Sequence, residues 1–283
     1  MVASDLARLL RDAQAGGYAI GYFEVWNLES TRALVEVAEE ERAPLIVGFN
    51  GGLLGECDGL EYYAALARAA VDKARVPAVS LLNEPADLRQ VMQGLRLGFM
   101  AVMVDFSEHP FRRNVDLTRR VVEVCHSMGV TVEAQLDRIP SAEGGSPPRN
   151  MDKYLTDPDR AAKFLEETGV DALSVSVGHV HGLYKDKPRL DLERIRRLRG
   201  LGVPLVLHGG TGVSDDDAGE AVRAGIAKIN LGYELRRSFL RGVREGLEEM
   251  PEAYPEKIFK RGERSFKETV RRKMRVYGCV NRV

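Results

Sequence analysis

Short apolar runs alternate along this chain with longer segments in which apolar residues recur every three or four positions. Runs of the first kind, bounded by Gly or Pro, are typical of buried strands, and the longer period is typical of amphipathic helices. The pattern predicts strands over residues 18–25, 44–49, 77–82, 100–104, 130–136, 172–177, 205–207 and 227–231, and helices over residues 5–15, 27–41, 60–74, 86–97, 111–128, 158–168, 190–199, 215–224 and 234–249.

The order of these elements is eight strand-then-helix units in series, which predicts an α/β fold, the parallel (β/α)8 or TIM barrel. An open doubly wound sheet is the alternative. Such a sheet more often has about five or six strands and a glycine-rich nucleotide-binding turn after the first strand. Here residues 24–27 read Glu-Val-Trp-Asn, and the turns between units are short. We therefore predict a barrel that forms one domain over residues 1–283.

Two stretches fall outside the eight units. Residues 138–156, which contain Gly-Gly and Pro-Pro pairs, are too long for a plain turn and are predicted to form a mobile flap over the barrel mouth. Residues 251–283 form a C-terminal extension with a basic helical segment. We expect this extension to pack on the barrel or on a neighbouring subunit.

Charge and cysteine content narrow the class of protein. The 41 Lys and Arg residues nearly cancel the 42 Asp and Glu residues, so no nucleic-acid or membrane-surface partner is predicted. The three cysteines are too widely spaced to indicate a disulfide framework or a zinc-finger site. Neither a signal-peptide core nor an apolar run of membrane-spanning length is present, which predicts a cytoplasmic protein.

Polar residues gather where the predicted strands end, and in such barrels these ends carry the chemistry. His181 and His208 follow neighbouring strands and could meet, and Glu84 could add a carboxylate from across the barrel. Two imidazoles and one carboxylate suit Zn²⁺, Fe²⁺ or Mn²⁺. For Glu84 the alternative is a helix cap. The full set of polar strand ends is Glu24, Asn50, Asn83, Glu84, Asp105, Gln135, Asp137, His179, His181, His208 and Asn230.

A glycine-rich turn, Gly209-Gly-Thr-Gly212, joins the seventh predicted strand to a helix that Ser214 is expected to cap. Backbone N–H groups at such a junction bind anions, and the loops after strands seven and eight of these barrels often bind phosphate. The alternative is a tight strand-to-helix turn without a ligand. His109 and His126 are interpreted as ordinary structural or surface histidines, and the role of His179 stays open.

Seven stretches resemble the class II, metal-dependent fructose-bisphosphate and tagatose-bisphosphate aldolase family: residues 13–20, 36–41, 156–158, 168–171, 181–194, 205–212 and 228–230. The run from His181 to Arg194 is highly specific. The resemblance implies a barrel that binds a divalent metal ion, usually zinc, and a homodimer or homotetramer. It implies that His181 and His208 bind the metal and that Glu143, in the flap, moves a proton on the donor half. It assigns phosphate binding to Gly182, Lys185, Gly209, Gly210, Thr211 and Asn230.

The chain departs from this family at the barrel mouth. Asn83-Glu84 stands where the family has Asp-His, so the side chain at position 83 can form hydrogen bonds but cannot relay a proton. Glu84 can still bind a metal, although a carboxylate suits zinc less well than an imidazole does. Four further replacements are Glu24 for asparagine, Asn50 for serine, Gln135 for glutamate and Tyr233 for threonine.

We therefore predict a metal-dependent aldolase that cleaves a phosphorylated ketose or related keto-sugar through a metal-stabilised enediolate. His181, His208 and Glu84 are the predicted metal ligands, Asn83 would orient the acceptor-side hydroxyl, and Asn50 is a predicted substrate-binding residue. Glu24 is either a fourth ligand or a replacement base. Two alternatives remain: a metal-dependent sugar-phosphate isomerase or epimerase, and a non-catalytic partner subunit of another aldolase.

Overall fold

A computed structural model describes residues 5–54, 59–141, 148, 150–182 and 189–283. The strands are β1 Ile20–Glu24, β2 Leu45–Asn50, β3 Ala78–Asn83, β4 Ala101–Asp105, β5 Thr131–Gln135, β6 Ala172–Ser174, β7 Leu205–Leu207 and β8 Ile226–Leu231. The helices are α1 Leu6–Ala15, α2 Leu28–Glu40, α3 Gly51–Leu54, α4 Leu60–Lys73, α5 Leu88–Arg96, α6 Phe111–Ser127, α7 Pro158–Thr168, α8 Leu192–Arg199, α9 Asp215–Ala224, α10 Tyr233–Glu249 and α11 Pro255–Val276. Short 3-10 helices cover Asp152–Tyr154 and Gly210–Gly212.

The strands form one closed parallel barrel in sequence order, β1 to β8. The barrel closes where β1 pairs with β8, with Tyr22 opposite Asn230. Strands β1, β3 and β8 are buried along their whole length, as expected for parallel strands covered by helices. The predicted (β/α)8 barrel is confirmed, and all strand carboxyl ends meet at one mouth.

Local side-chain chemistry fixes where the helices begin. Asp157 caps α7 by accepting a hydrogen bond from the N–H of Arg160 at 2.9 Å, and Pro158 occupies the first helical position. Ser214 caps α9 in the same way, through the N–H of Asp217 at 3.2 Å. Both helices begin at the predicted residues.

Several strands are shorter than predicted, and β6 loses the whole second half of its predicted run. The apolar run over residues 172–177 was expected to be strand throughout, but β6 ends at Ser174. The N–H of Ser176 donates instead to the side chain of Thr156 at 2.9 Å. Helix α3 is an addition that the apolar pattern did not predict, and the N–H of Leu53 donates to Asn50 Oδ1 at 3.1 Å.

The C-terminal helix α11 packs against α10 and α2 on the outside of the barrel. Glycines make the approach to α10 close, because a Cβ at Gly242 would lie 2.4 Å from the carbonyl oxygen of Arg261. Glu263 of α11 also pairs with Arg32 of α2. The extension therefore packs on the barrel, which is one of the two predicted placements. Across the described residues, no helix is long and apolar enough to cross a membrane.

Candidate active site

A cavity of about 140 Å³ opens at the carboxyl ends of the strands. Ten of the predicted site residues line it, and three other residues share its wall. Glu143 and Lys185, also predicted for this site, lie outside the described residues. Gly210 packs behind the wall, where a Cβ would lie 2.8 Å from the carbonyl oxygen of Asn230. The lining residues are Tyr22, Glu24, Asn50, Asn83, Glu84, His181, Gly182, His208, Gly209, Thr211, Asn230, Gly232 and Tyr233.

Glu84 points into this cavity toward His208. Its Oε1 lies 3.5 Å from Nδ1 of His208, and its Oε2 accepts a hydrogen bond from Asn50 Nδ2 at 3.0 Å. Asp87, rather than Glu84, caps helix α5, through the N–H of Gln90. Burial alone would raise the pKa of Glu84, but the hydrogen bond and charge of His208 outweigh it and lower the pKa to about 2. Glu84 is therefore an ionised acceptor in the site.

Behind His208 lies a buried charge pair that the sequence analysis missed. His208 Nε2 is 2.9 Å from Glu133 Oε1, and Lys228 Nζ lies 2.8 Å from Glu133 Oε2. All three side chains are almost completely buried. Burial opposes ionisation of Glu133, yet the charge of Lys228 and the hydrogen bond to His208 lower its pKa. Glu133 is thus a carboxylate that holds the His208 ring in place.

His208 can carry a proton in this environment. Burial lowers the pKa of an imidazole, but here the hydrogen bonds to Glu133 and Glu84 outweigh burial and raise the pKa of His208. In the protonated ring, Nε2–H faces Glu133 in the core and Nδ1–H faces Glu84 in the cavity. A metal ion binding at Nδ1 would have to displace the proton on that nitrogen.

His181 and His179 follow β6 but occupy different environments. The backbone N–H of His181 donates to the carbonyl of Pro140 at 2.8 Å, which ties it to the start of the predicted flap. Burial and the charge of His208 lower the pKa of His181 to about 4, so its ring is neutral with a free lone pair. His179 is fully buried, does not line the cavity, and has no hydrogen-bond partner at either ring nitrogen among the described residues.

Of the two histidines interpreted as structural or surface residues, His126 has a partner that supports this interpretation. His126 Nε2 lies 2.8 Å from Asp171 Oδ2, and His126 does not line the cavity. His109 also does not line the cavity.

The donor set at the mouth fits a divalent metal ion in chemical type. Ligands bound to one tetrahedral zinc at about 2.1 Å lie about 3.4 Å apart, and His208 Nδ1 and Glu84 Oε1 are 3.5 Å apart. The second ring nitrogen of His208 contacts a carboxylate, as it does in most metal-binding histidines. Within the described ranges, however, no three His, Cys, Asp or Glu side chains are close enough to hold a metal as they stand. The ring centroids of His181 and His208 are 6.5 Å apart, so His181 would have to move toward the pair.

The glycine-rich turn lies beside this pair. Gly209 has a φ of 65°, and a Cβ there would lie 3.1 Å from the carbonyl oxygen of Val180. A left-handed backbone and a close approach both favour glycine at this position. The hydroxyl of Thr211 accepts a hydrogen bond from the N–H of Glu234 at 3.3 Å, which leaves its own O–H able to donate to a ligand.

Glu24 is already paired with a cation. Arg236 of α10 forms an ion pair with it, and the guanidinium of Arg236 lies 5.5 Å from the ring centroid of Trp26. Gly232 makes room for the carboxylate, because a Cβ at Gly232 would lie 2.5 Å from Glu24 Oε2. Burial raises the pKa of Glu24 although Arg236 opposes the shift. The pKa of Glu24 is therefore nearer to neutral pH than that of an ordinary glutamate.

The remaining predicted polar residues are divided between the cavity and its surroundings. Asn83 is buried in the wall, and its Oδ1 lies 3.5 Å from Nδ2 of Asn230. Gln135 does not line the cavity, because its amide donates to Asp105 Oδ2 at 2.8 Å and accepts from Ser174.

A closed (β/α)8 barrel with imidazole, carboxylate and amide groups around a mouth cavity defines a class, the barrel enzymes whose active site lies at the strand carboxyl ends. The model of the class II fructose-bisphosphate aldolase family matches residues 4–282, and the chain belongs to that family. It is therefore an aldolase, a carbon–carbon lyase of a metal-dependent family.

Individual relatives agree with this assignment over nearly the whole chain. A probable fructose-bisphosphate aldolase from Bacillus subtilis (strain 168) is 36% identical over 280 residues, which cover 98% of each chain. The YdjI aldolase from Escherichia coli K12 has a crystal structure with a TM-score of 0.85 and 30% identity, covering 99% of this chain and 98% of that one. A putative fructose-1,6-bisphosphate aldolase from Coccidioides immitis has a TM-score of 0.87 and 26% identity, with the same coverage.

Proposed function

We propose that this protein catalyses reversible aldol cleavage of a phosphorylated ketose, with a divalent metal ion bound at His181, His208 and Glu84. The observation that carries the proposal is the facing pair of His208 Nδ1 and Glu84 Oε1, 3.5 Å apart, beside a glycine-rich turn suited to phosphate. When bound, the metal acts as a Lewis acid that polarises the donor-half carbonyl. A set of two imidazoles and one carboxylate admits Zn²⁺, Mn²⁺ or Fe²⁺, with zinc proposed first from the family.

Binding of the donor-half phosphate is assigned to the turn and its neighbours. Gly209 and Thr211 line the cavity together with Gly182 and Asn230. Gly210 supports the turn from behind, and Lys185 would supply a cation. Backbone N–H groups and a hydroxyl donor are the groups that bind a phosphate at such turns.

Proton handling is divided between the two halves of the substrate. Glu143 would exchange the carbon-bound proton of the donor half from the predicted flap, where closure excludes water. On the acceptor side Asn83 orients the reacting hydroxyl, and Asn50 keeps Glu84 in place through its 3.0 Å hydrogen bond. Glu24, with its raised pKa, is the proposed replacement base rather than a fourth metal ligand, because Arg236 already engages it.

The test is cleavage of fructose 1,6-bisphosphate and tagatose 1,6-bisphosphate by zinc-loaded and chelator-treated protein, with products identified by mass. We expect metal-dependent formation of two fragments and none from His208→Ala, which should also lose the bound metal. Fragments formed equally by His208→Ala would overturn the ligand assignment. A product that keeps the carbon count of the substrate would instead establish the isomerase or epimerase.

We propose further that the protein is a homodimer or homotetramer that assembles through α10. Tyr233, Leu240 and Leu247 are spaced by seven residues and are 51%, 58% and 50% exposed, so they form one apolar stripe on that helix. Leu240 also lines a groove of about 970 Å³ along α10 and α11. A second copy of the chain is the partner that the family assignment favours.

A further inference from the structure

Tyr22 is a cavity residue with a hydroxyl that nothing in the described part of the chain satisfies. Its side chain is 1% exposed and lines the mouth cavity. The phenol oxygen is buried and has no hydrogen-bond partner among the described residues. Buried hydroxyls without partners are rare because they lose their bonds to water and gain none in return. Because Tyr22 also lines the cavity, a bound substrate is the group that can meet this hydroxyl.

The ring of Tyr22 is held firmly. Gly48, on the neighbouring strand, leaves space for it, since a Cβ at Gly48 would lie 1.7 Å from the ring edge. On the other side the ammonium group of Lys228 lies 5.1 Å from the ring centroid. Strand β1 places Tyr22 opposite Asn230, whose amide reaches Asn83. The ring is consequently held beside Asn230 in the wall of the cavity.

The surroundings of the phenol make it a donor. Burial, with the charges of Glu24 and Glu84, raises the pKa of Tyr22 well above its ordinary value. The group stays neutral and offers an O–H to an oxygen that carries negative charge. Asn83, in the same cavity, is an amide with no proton to transfer.

Strand order places Tyr22 between the proposed phosphate groups and the acceptor-side residue Asn83. Asn230, a proposed phosphate group, lies on β8 opposite Tyr22, and Gly209 follows β7. Asn83 ends β3, two strands from Tyr22 in the other direction. A ketose phosphate with its phosphate at the glycine-rich turn would extend its acceptor half past Tyr22 toward Asn83.

We propose that Tyr22 contacts the substrate and donates a hydrogen bond to the oxygen of the aldehyde half, the role for which Asn83 alone is insufficient. The proposal rests on the proposed aldolase function. In condensation the electron pair of the deprotonated donor carbon forms the new carbon–carbon bond, and the π pair of the aldehyde moves onto its oxygen. The phenol O–H stabilises this negative oxygen, which then takes a proton from Glu24, the proposed replacement base. In cleavage the same oxygen returns its proton to Glu24 and the carbon–carbon bond breaks.

The experiment compares Tyr22→Phe with Tyr277→Phe in two assays. Tyr277 is a matched control, because it is also 1% exposed and its buried hydroxyl also has no partner in the described ranges, but it does not line the cavity. The first assay is metal-dependent exchange of a carbon-bound hydrogen of dihydroxyacetone phosphate in heavy water, which needs only the donor half. The second is cleavage of fructose 1,6-bisphosphate and tagatose 1,6-bisphosphate. The melting temperature of each metal-free variant is measured alongside.

For Tyr22→Phe we expect exchange within about threefold of wild type and a fall in kcat for cleavage of about 100-fold or more, the size seen when one donor to a developing oxyanion is removed. Its metal-free melting temperature should equal or exceed that of wild type, since the hydroxyl has no hydrogen bond to lose within the described ranges. Tyr277→Phe should leave both activities unchanged.

Three results would overturn the role of Tyr22: cleavage by Tyr22→Phe at the wild-type rate, equal loss of exchange and cleavage, or a lower melting temperature than wild type. A loss of cleavage in Tyr277→Phe as large as that in Tyr22→Phe would also overturn it. Wild-type protein that shows no exchange or cleaves neither ketose contradicts the aldolase proposal itself, which separates the two failures.

Discussion

Glu133 is the residue on which the geometry of the site most depends. It holds His208 at 2.9 Å and neutralises the buried Lys228 at 2.8 Å, so one carboxylate fixes the imidazole and balances a charge in the core. A carboxylate behind a metal-binding histidine orients the ring and makes it more basic. Glu133, which does not line the cavity, therefore positions His208, which does.

Glu133→Gln should lower zinc affinity by about 10-fold to 100-fold, the usual cost of losing an outer-shell partner. It should also lower the free energy of unfolding by about 3–5 kcal/mol, because Lys228 would be left as an uncompensated buried charge. Isothermal titration with zinc and urea unfolding measure the two effects.

The double variant Glu133→Leu with Lys228→Met is the control for this prediction. It removes both buried charges, so we expect stability to recover toward wild type while zinc affinity stays low. Wild-type zinc affinity in either variant would contradict the positioning role of Glu133.

At the residue scale, the sequence predicts the site residues that lie at the ends of strands and misses the site residues within strands. His208, His181, Glu84 and Asn50 could be placed at the mouth because all parallel strands end there. Tyr22, Glu133 and Lys228 lie within strands buried on both faces, where the pattern of apolar residues does not tell which side chains point inward. A charged residue in the middle of such a strand is a signal that could have found Glu133 and Lys228.

Among the elements, helix α10 links the outer layer to the site. Its first turn carries Arg236, which pairs with Glu24 at the cavity, and its middle packs on α11 through Gly242. A Cβ at Gly242 would lie 2.4 Å from a backbone carbonyl and 2.7 Å from Ser265 Oγ, so no flexible side chain could simply move away.

Gly242→Ala should lower the free energy of unfolding by about 1–3 kcal/mol, the typical cost of overpacking. Gly219→Ala in α9 is the matched control, since its Cβ would only meet the Arg223 guanidinium at 3.5 Å. That variant should gain up to about 1 kcal/mol from helix propensity. Urea unfolding of both proteins measures the difference, and equal stabilities would contradict the close packing of α10 on α11.

The elements themselves were well predicted from periodicity, with errors where side chains compete for the backbone. The bounds of α7 and α9 follow from Asp157 and Ser214, which are readable caps. Strand β6 is three residues shorter than the apolar run 172–177 suggests, because Thr156 from a distant loop takes the N–H of Ser176. Such a long-range side-chain bond leaves no trace in local sequence.

At the scale of the whole molecule, the apolar stripe of α10 is the proposed interface between copies of the chain. Charged side chains at Leu240 and Leu247 would oppose burial of this stripe against a second copy. Leu240→Glu with Leu247→Glu should therefore reduce the mass in sedimentation equilibrium to that of a monomer of 31.4 kDa. The unfolding profile at low protein concentration should change little, since both residues are exposed. A variant with the mass of the wild-type oligomer would place the interface elsewhere.

The barrel topology could be predicted in full, because eight strand-then-helix units have few ways to close. The catalytic outcome could be predicted only to the level of the family. Asn83 and Glu84 replace the usual acid and metal histidine. The residues proposed to compensate, Tyr22 and Glu24, come together with Arg236 from β1 and α10 only in the folded barrel.

The most direct test of the proposed function is deuterium uptake into dihydroxyacetone phosphate in heavy water, comparing zinc-loaded with chelator-treated protein. This reaction needs the metal ligands, the phosphate turn and the donor-half base but no aldehyde. We predict exchange that depends on the metal and disappears in His208→Ala. Zinc-loaded protein that binds the metal at His208 yet shows no exchange would contradict the assignment of this cavity to a ketose-phosphate donor.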